Sequence, residues 1–436
     1  MKEVLKEIIL RNQQKDLKGL VAREVNVPFR SGKVISLIGP RRAGKTHVLY
    51  LLMQEAESKG IARERIVFIN FEDERLADDG FKFDMILQAY QELYATKSLD
   101  GCYFFFDEIQ NIEGWEKFIR RLYDDHSHHI FLTGSNASFL STEIATSLRG
   151  RSLAIEVLPL SFTEYLRFTD QEITFYQPLK RHSLLESFRA YLEVGGFPEL
   201  VGMERHLRIR VLQEYFNVMI HRDLIERFEI SQANLLKYFL KKVFSSVSKP
   251  LSINKIYNEF RSNKHSVSKN TLYDFQAYAT DAYVIRLLQK FDFSEIKREN
   301  SDKKAYSADW GLVAAVSYAA TNDHGKLFEN LVVMEFLKRQ VEVFFYKKTY
   351  ECDLIVKDTQ FGLMPVQVAY ELRDSDTRKR EVKGLLEAAE FLNATKGLII
   401  SMDHEEEIKK DKVTIQVLPA YRYFTMTAEQ KGHLFT

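Results

Sequence analysis

Five short, almost uninterrupted apolar runs punctuate the first part of the chain, at 34–38, 66–71, 102–106, 130–134 and 152–158. The stretches between them carry apolar residues at helical spacing, as in "HVLYLLMQEA". Buried strands that alternate with amphipathic helices predict an α/β fold built on a parallel, doubly wound sheet. Residues 1–30 read as a charged amphipathic helix and a lead-in to that sheet. From about 160 to 230 the pattern is helical, through "SFTEYLRF", "SLLESFRAYLEVGGFPELV" and "RIRVLQEYFNVMIHRDLIERFEI". Gly195-Gly196-Phe197-Pro198 predicts a tight turn between two of these helices, and the segment reads as a helical lid on the sheet domain.

The rhythm changes again at 231–300. A helix over about 232–247 precedes "LSINKIYNEFRSN", with Ser252 as its N-cap. "SVSKNTLYDFQAYATDAYVI" follows, where Ser268 caps a second helix. Two short helices followed by the strand pair "VIRLLQKFDF" and "KKAYSAD" predict a winged helix. Beyond it come a helical pattern at 325–340, the strand patterns "VEVFFYK", "CDLIVKD" and "LMPVQVAY", a helix in "TRKREVKGLLEAAEFLNA" and a strand in "KGLIIS". The expected domains are therefore 1–160, 161–230, 231–310 and 311–436.

Charge sharpens one of these segments. The chain of 436 residues carries 62 Lys+Arg against 61 Asp+Glu, but residues 231–300 hold 12 basic against 6 acidic side chains. A basic winged helix points to nucleic acid. Lys264, His265, Lys269 and Asn270 cluster at the start of the expected recognition helix, where DNA readers place their contacts. Winged helices also serve as protein-interaction modules, so double-stranded DNA, a protein partner and a homo-oligomer all stay open. No apolar run approaches a membrane span, the two cysteines have no metal-ligand spacing, and a cytoplasmic location is expected.

The strongest chemical signal is "VISLIGPRRAGKTHVLYLL". An apolar strand leads into Gly39-Pro40-Arg41-Arg42-Ala43-Gly44-Lys45-Thr46-His47, and an amphipathic helix follows. Glycines let such a loop curl its N–H groups around a pyrophosphate, while the helix presents its positive end to the same anion. Lys45 is expected at the β- and γ-phosphates and Thr46 at Mg²⁺. Arg41 and Arg42 either touch phosphate or stay solvated. The run Cys102–Phe106 ends in Asp107 and Glu108, at the strand edge where α/β sheets bind ligands. Asp107 reads as the magnesium aspartate and Glu108 as the general base on water. No guanine-reading Asn-Lys-x-Asp occurs, which favours ATP.

"HIFLTGSNASFL" supplies a polar strand tip between the two motif strands. Asn136, with Ser135 beside it, is the candidate sensor of the γ-phosphate, and a plain turn is the alternative. In "SLRGRSLAIEV", Arg149 or Arg151 is a candidate for contacting the γ-phosphate of its own or a neighbouring subunit. "DDHSHH" (Asp124–His129) has no helical ligand spacing and no cysteine partner, and reads as a loop, not a zinc site.

"GPRRAGKT", "FFFDEIQNIEGW", "FLTGSN", "LRGRS…PLSFTEYL", "GGFPELV", "VSKNTLYDFQAYATDAYVI" and "KAYSADWGL" occur here in that order. Together they resemble the archaeal and bacterial AAA-like P-loop ATPases that carry a winged helix and a C-terminal domain of unknown function. In that family the C-terminal domain looks like the PD-(D/E)XK nuclease fold, so the resemblance implies a nuclease-like domain here. Its chemistry needs carboxylates around Mg²⁺ and a lysine beside them. Glu329, Asp353 and Gln367 fall where the ligands belong, but Ala369 stands where lysine is expected. Arg373 and Lys347 are the nearby basic residues that could replace it. The implied function is an Mg-dependent ATPase coupled to work on DNA, with an inactive nuclease-like domain. A nucleotide-dependent protein-interaction switch is the alternative, and an active nuclease the third reading.

Overall fold

The charged start of the chain forms α1 (Lys2–Gln13), which buries Leu5, Ile8 and Ile9 at the i, i+3, i+4 spacing of one helical face. β1 (Val34–Ile38), α2 (Lys45–Ser58), β2 (Ile66–Asn70), α3 (Asp84–Leu93), β3 (Tyr103–Asp107), α4 (Trp115–Asp125), β4 (Ile130–Gly134) and β5 (Ser152–Glu156) follow in turn. The five strands form one sheet in the order β2-β3-β4-β1-β5, and every pairing is parallel. Each residue of β1, β3 and β4 is buried, as strands covered on both faces must be. Because the strands run the same way, β1 and β3 end at one edge of the sheet, with β4 between them.

This computed structural model describes residues 1–77, 80–134, 148, 150–173, 178–317, 323–358 and 362–435. The chain divides into two units, Met1–Leu158 and Pro159–Thr436. The helical segment expected as a lid on the sheet domain clusters with the second unit.

There, α5 (Phe162–Phe168) begins with a capping box in which Ser161 and Glu164 each bond the other's backbone N–H. α6 (Pro178–Val194) leads to Gly195 at φ 87°. α7 (Arg205–Val218) continues as a π-helical stretch, Met219–Glu226. The next module runs α8 (Ala233–Ser245), β6 (Pro250–Leu251), α9 (Ile253–Ser262), α10 (Lys269–Asp281), β7 (Ile285–Gln289), α11 (Glu295–Glu299) and β8 (Lys303–Ser307). Its antiparallel sheet has the order β6-β8-β7. Ser252 and Ser268 cap α9 and α10 as expected, accepting from the Lys255 and Thr271 N–H groups.

The last module begins with α12 (Trp310–Val316) and α13 (His324–Leu337). It continues through β9 (Glu342–Lys347), β10 (Glu351–Asp358), β11 (Gly362–Ala369), α14 (Ser375–Leu392), β12 (Lys396–Ser401), β13 (Glu406–Lys410), β14 (Val413–Pro419), α15 (Ala420–Thr425) and α16 (Ala428–Phe435). Its six-stranded mixed sheet has the order β13-β14-β12-β11-β10-β9.

Two buried carboxylates tie these helices together. Asp309 accepts the Gly196 N–H at 2.6 Å and the Leu312 N–H at 3.0 Å, which brings "GGFPELV" and "ADWGL" into contact. A Cβ on Gly195 would lie 2.6 Å from the Asp309 carboxylate, so the left-handed glycine is required twice over. Glu335 accepts the Phe162 N–H at 3.0 Å and the Tyr191 hydroxyl at 2.7 Å. Both carboxylates meet the requirement that a buried charge be hydrogen-bonded.

Gly384 lets α14 lie directly on β10, because a Cβ there would sit 2.1 Å from the Glu351 carbonyl oxygen. Gly384→Ala is expected to destabilise the second unit by about 1–3 kcal/mol. Urea unfolding should show a lower midpoint at an unchanged slope, and a wild-type midpoint would mean the helix moves aside at no cost.

Candidate functional site

The loop after β1 owes its path to two glycines. Gly39 has φ 147°, and a Cβ there would lie 2.1 Å from the Val157 carbonyl oxygen. Gly44, at φ 93°, forms the left-handed N-cap of α2 and offers no side chain to its first-turn N–H groups. The N-terminal amides of α2 are thus left for an anion. Arg42 is also left-handed, at φ 68°, and its side chain is exposed.

Lys45 is 5% exposed and donates to the Gly39 and Pro40 carbonyls, each at 3.1 Å, with Glu108 at 3.8 Å. The loop therefore holds its own lysine at its centre. Arg41 pairs with Glu72 at 3.1 Å. His47 places Nε2 2.8 Å from the Val21 carbonyl oxygen, so its ring fastens the lead-in segment. Arg23, from the same lead-in, donates to the Ala43 carbonyl at 2.8 Å and the Leu158 carbonyl at 2.7 Å. It braces the loop from outside, and nothing in its sequence surroundings marks it for that role.

The acid pair lies across β4 from this loop. The Thr46 hydroxyl donates to Asp107 Oδ2 at 2.9 Å, and Thr133 donates to Oδ1 at 2.5 Å. Burial, and then the charge of Glu108, push the Asp107 carboxyl up to about 6, while Thr133, Thr46 and Lys45 pull the other way. Glu108 sits at φ 49° and its N–H donates to Thr133 Oγ1 at 2.8 Å. Thr133 thus bonds both acids. The polar tip of β4 is the sequence signal for it, two and three residues before Ser135 and Asn136.

A threonine hydroxyl beside a buried carboxylate is a hard-oxygen pair that suits Mg²⁺, an ion that takes few protein ligands and completes its shell with water and phosphate. Among the described residues no group of three or more His, Cys, Asp or Glu is placed to hold a metal alone. In "DDHSHH", His129 stacks on Tyr103 at 4.2 Å and His128 lies against Tyr123 at 4.5 Å.

The remaining sequence candidates divide. Asn136, Ser135 and Arg149 lie outside the described residues. Arg151 immediately precedes β5, whose Ser152 pairs with Val34 at the opposite end of β1 from the phosphate loop. It pairs with Asp124 at 3.3 Å. A five-residue strand spans about 16 Å, so contact between Arg151 and the γ-phosphate of its own site is ruled out.

In the second unit, Lys264, His265, Lys269 and Asn270 are all exposed around the start of α10. Asp353 and Gln367 are hydrogen-bonded to each other, and Glu329 is linked to Asp353 through Lys304, whose Nζ faces both. Gln367 donates Nε2 to Asp353 Oδ2 at 2.7 Å and accepts the Asp353 N–H on Oε1 at 3.2 Å. Neither Arg373 nor Lys347 stands in for the lysine missing at Ala369: they pair with Asp403 and Glu351. The cation at that cluster is Lys304, from β8 of the preceding module.

Residues 31–166 match the family model described as AAA domain, 185–323 a domain of unknown function, DUF8612, and 324–423 another, DUF4143. The uncharacterized protein MJ1544 of Methanocaldococcus jannaschii is 31% identical across 99% of this chain and 93% of its own length. The chain belongs to the MJ1544 family. An uncharacterized Haemophilus influenzae protein is 29% identical over 82% of this chain and 89% of its own. Among solved structures, the Thermotoga maritima RuvB Holliday junction branch migration motor gives a TM-score of 0.28 at 15% identity, over 65% of this chain and 87% of that one. AMPPCP-bound DnaA from Aquifex aeolicus gives 0.25 at 17%, over 63% and 85%. The first unit is an AAA-like P-loop domain with a five-stranded parallel sheet, and no helix among the described residues is long and apolar enough to cross a membrane.

The Thr133 bonds can be tested without nucleotide. Thr133→Val keeps the shape but leaves a buried carboxylate oxygen and the Glu108 N–H short of a partner, at an expected cost of about 1–3 kcal/mol. Thr133→Ser should recover most of it in chemical denaturation. Equal loss in both variants would show that keeping the hydroxyl recovers nothing and would count against the two bonds.

Proposed function

We propose that this protein is an Mg²⁺-dependent ATPase whose turnover is coupled to DNA through the module at 231–310. The observation that carries the first half is the Thr46–Asp107 contact of 2.9 Å, with the neighbouring Lys45 and Glu108 facing each other at 3.8 Å. The α2 amides and Lys45 bind and orient the phosphates. Thr46 and Asp107 would hold Mg²⁺, which supplies charge neutralisation at the β- and γ-phosphates. Glu108, kept off the metal position by its own left-handed backbone and the Thr133 bond, accepts the proton of the attacking water. A carboxylate directly after the metal aspartate favours hydrolysis over transfer to another substrate.

Lys45→Ala should abolish nucleotide binding. Glu108→Gln should retain binding while turnover falls on the order of 10²-fold or more. Phosphate release with and without duplex DNA measures both, and unchanged hydrolysis in Glu108→Gln would remove Glu108 from the role of base.

The second half rests on element order and charge. The succession of a helix, a strand, two helices and a strand pair supports a winged-helix reading, and Lys264, His265, Lys269 and Asn270 are exposed around the start of α10. Nucleotide-dependent protein binding is the second reading. It is favoured by Phe293 and Ile296 between β7 and β8, which are 62% and 75% exposed and so unusually bare apolar side chains for a wing. A salt-dependent gel shift on duplex DNA, lost when Lys264 and Lys269 are both changed to Glu, is the expected result. Equal binding by wild type and the double variant would favour the protein-binding reading.

A further inference from the structure

The outward face of α10 carries side chains that the fold does not use. Leu272, Phe275 and Ala279 are buried in the module, which fixes the rotation of the helix about its axis. On the opposite side Asn270, Tyr273, Asp274 and Ala277 are exposed, Tyr273 by 51%. Asn270, Asp274 and Ala277 follow one another at i, i+4 and i+7, so they share one stripe. Among the described residues, the side chains of Asn270, Tyr273 and Asp274 have no hydrogen-bond, ionic or ring partner. Neither packing nor capping accounts for any of the three.

Charge divides this surface. The exposed cations stand at its margin: Arg261 near the end of α9, Lys264 in the turn beyond it, and Lys269 at the first position of α10. Arg261 and Lys269 lie 5.9 and 5.4 Å from the centre of the Tyr257 ring, so the two helices bring their cations together. Along the next two turns of α10 the stripe is neutral or acidic. Phosphates line the rim of a DNA groove and base edges its floor. Backbone contacts therefore favour cations, and base contacts favour side chains with directed donors and acceptors. A recognition helix meets the rim with its start and the flanking turn, and the floor with its outward stripe. Asn270 to Ala277 covers about 10 Å of helix axis, or roughly three base-pair steps.

We infer that α10 reads duplex DNA by sequence in the major groove, with Asp274 selecting cytosine and rejecting guanine at one position. The inference rests on the DNA half of the proposed function. An ionised carboxylate only accepts hydrogen bonds. The cytosine N4 amino group donates one, whereas guanine presents the acceptors O6 and N7. Facing phosphate, Asp274 would weaken binding to every sequence alike; on the groove floor its charge becomes discrimination. Asn270, one turn nearer the helix start, has the donor and acceptor that match adenine N7 and N6. Ala277 is small enough to let the helix approach the floor. The marginal cations supply the affinity common to all sequences.

The test presents the full chain, without nucleotide, with a pool of duplexes randomised over one helical turn, and sequences the bound fraction. Wild type should enrich cytosine about tenfold at one position. Asp274→Ala should lose that enrichment while binding the pool at least as tightly, because a negative charge has left the surface. Asp274→Asn should move the preference at the same position from cytosine to adenine, a change that damage to the fold does not produce. Both substitutions fall on an exposed, unpartnered side chain and should melt like wild type; if one variant fails to fold, the other decides. Salt-sensitive binding with no cytosine-enriched position, or an enrichment that Asp274→Ala leaves intact, would overturn the inference and leave the DNA reading standing. Failure of wild type to bind the pool at all would remove both.

Discussion

A carboxylate removed from water must be met by donors, and those donors need not be close in sequence. Much of this chain is arranged around that requirement. Asp107 draws Thr46 of α2 and Thr133 of β4 to the end of β3. Asp309 reaches a turn 113 residues earlier, and Glu335 gathers Phe162 and Tyr191. Asp353 draws in Gln367 and the Val368 N–H, with Lys304 close by. Apolar burial gives the layers their stability but is indifferent to small slips in register. These bonds fix which residue faces which.

At the phosphate loop the same logic yields a prepared site. Lys45 is held by the carbonyls of its own loop, and Asp107 already bonds the hydroxyl that would share its metal. Little rearrangement is then required when an anion arrives, which is how preorganised donors contribute to binding and to catalysis. The loop is supported in turn from outside by Arg23 and by the close approach of Val157 to Gly39.

The parts legible in the sequence were those with local signals. β1, β3 and β4 are unbroken apolar runs, Gly39 through Thr46 is a contiguous motif, and the caps at Ser252 and Ser268 precede periodic helices. The succession of elements along the C-terminal module was legible as far as β12. The hairpin of β13 and β14 was not, since "EEEIKK" carries too many charges to read as a strand. It is an edge strand, open to water, where charge is tolerated. Arg23, Thr133 as the partner of both acids, and Lys304 were missed for one reason. Each is a single residue whose partners come from other elements, and no spacing rule reaches across a fold. Contact between Arg151 and its own site fails for a different reason: which end of β1 it lies beside depends on strand register, which nearness to a strand in the sequence does not give.

Lys304 also bears on how such proteins can be recombined. The two C-terminal family models meet between residues 323 and 324, which leaves Lys304 on one side and Glu329, Glu351 and Asp353 on the other. The seam in sequence is thus not a seam in electrostatics. A graft that replaced either segment alone would strand a buried ammonium or a nest of carboxylates, so the two segments are constrained to be inherited as a pair.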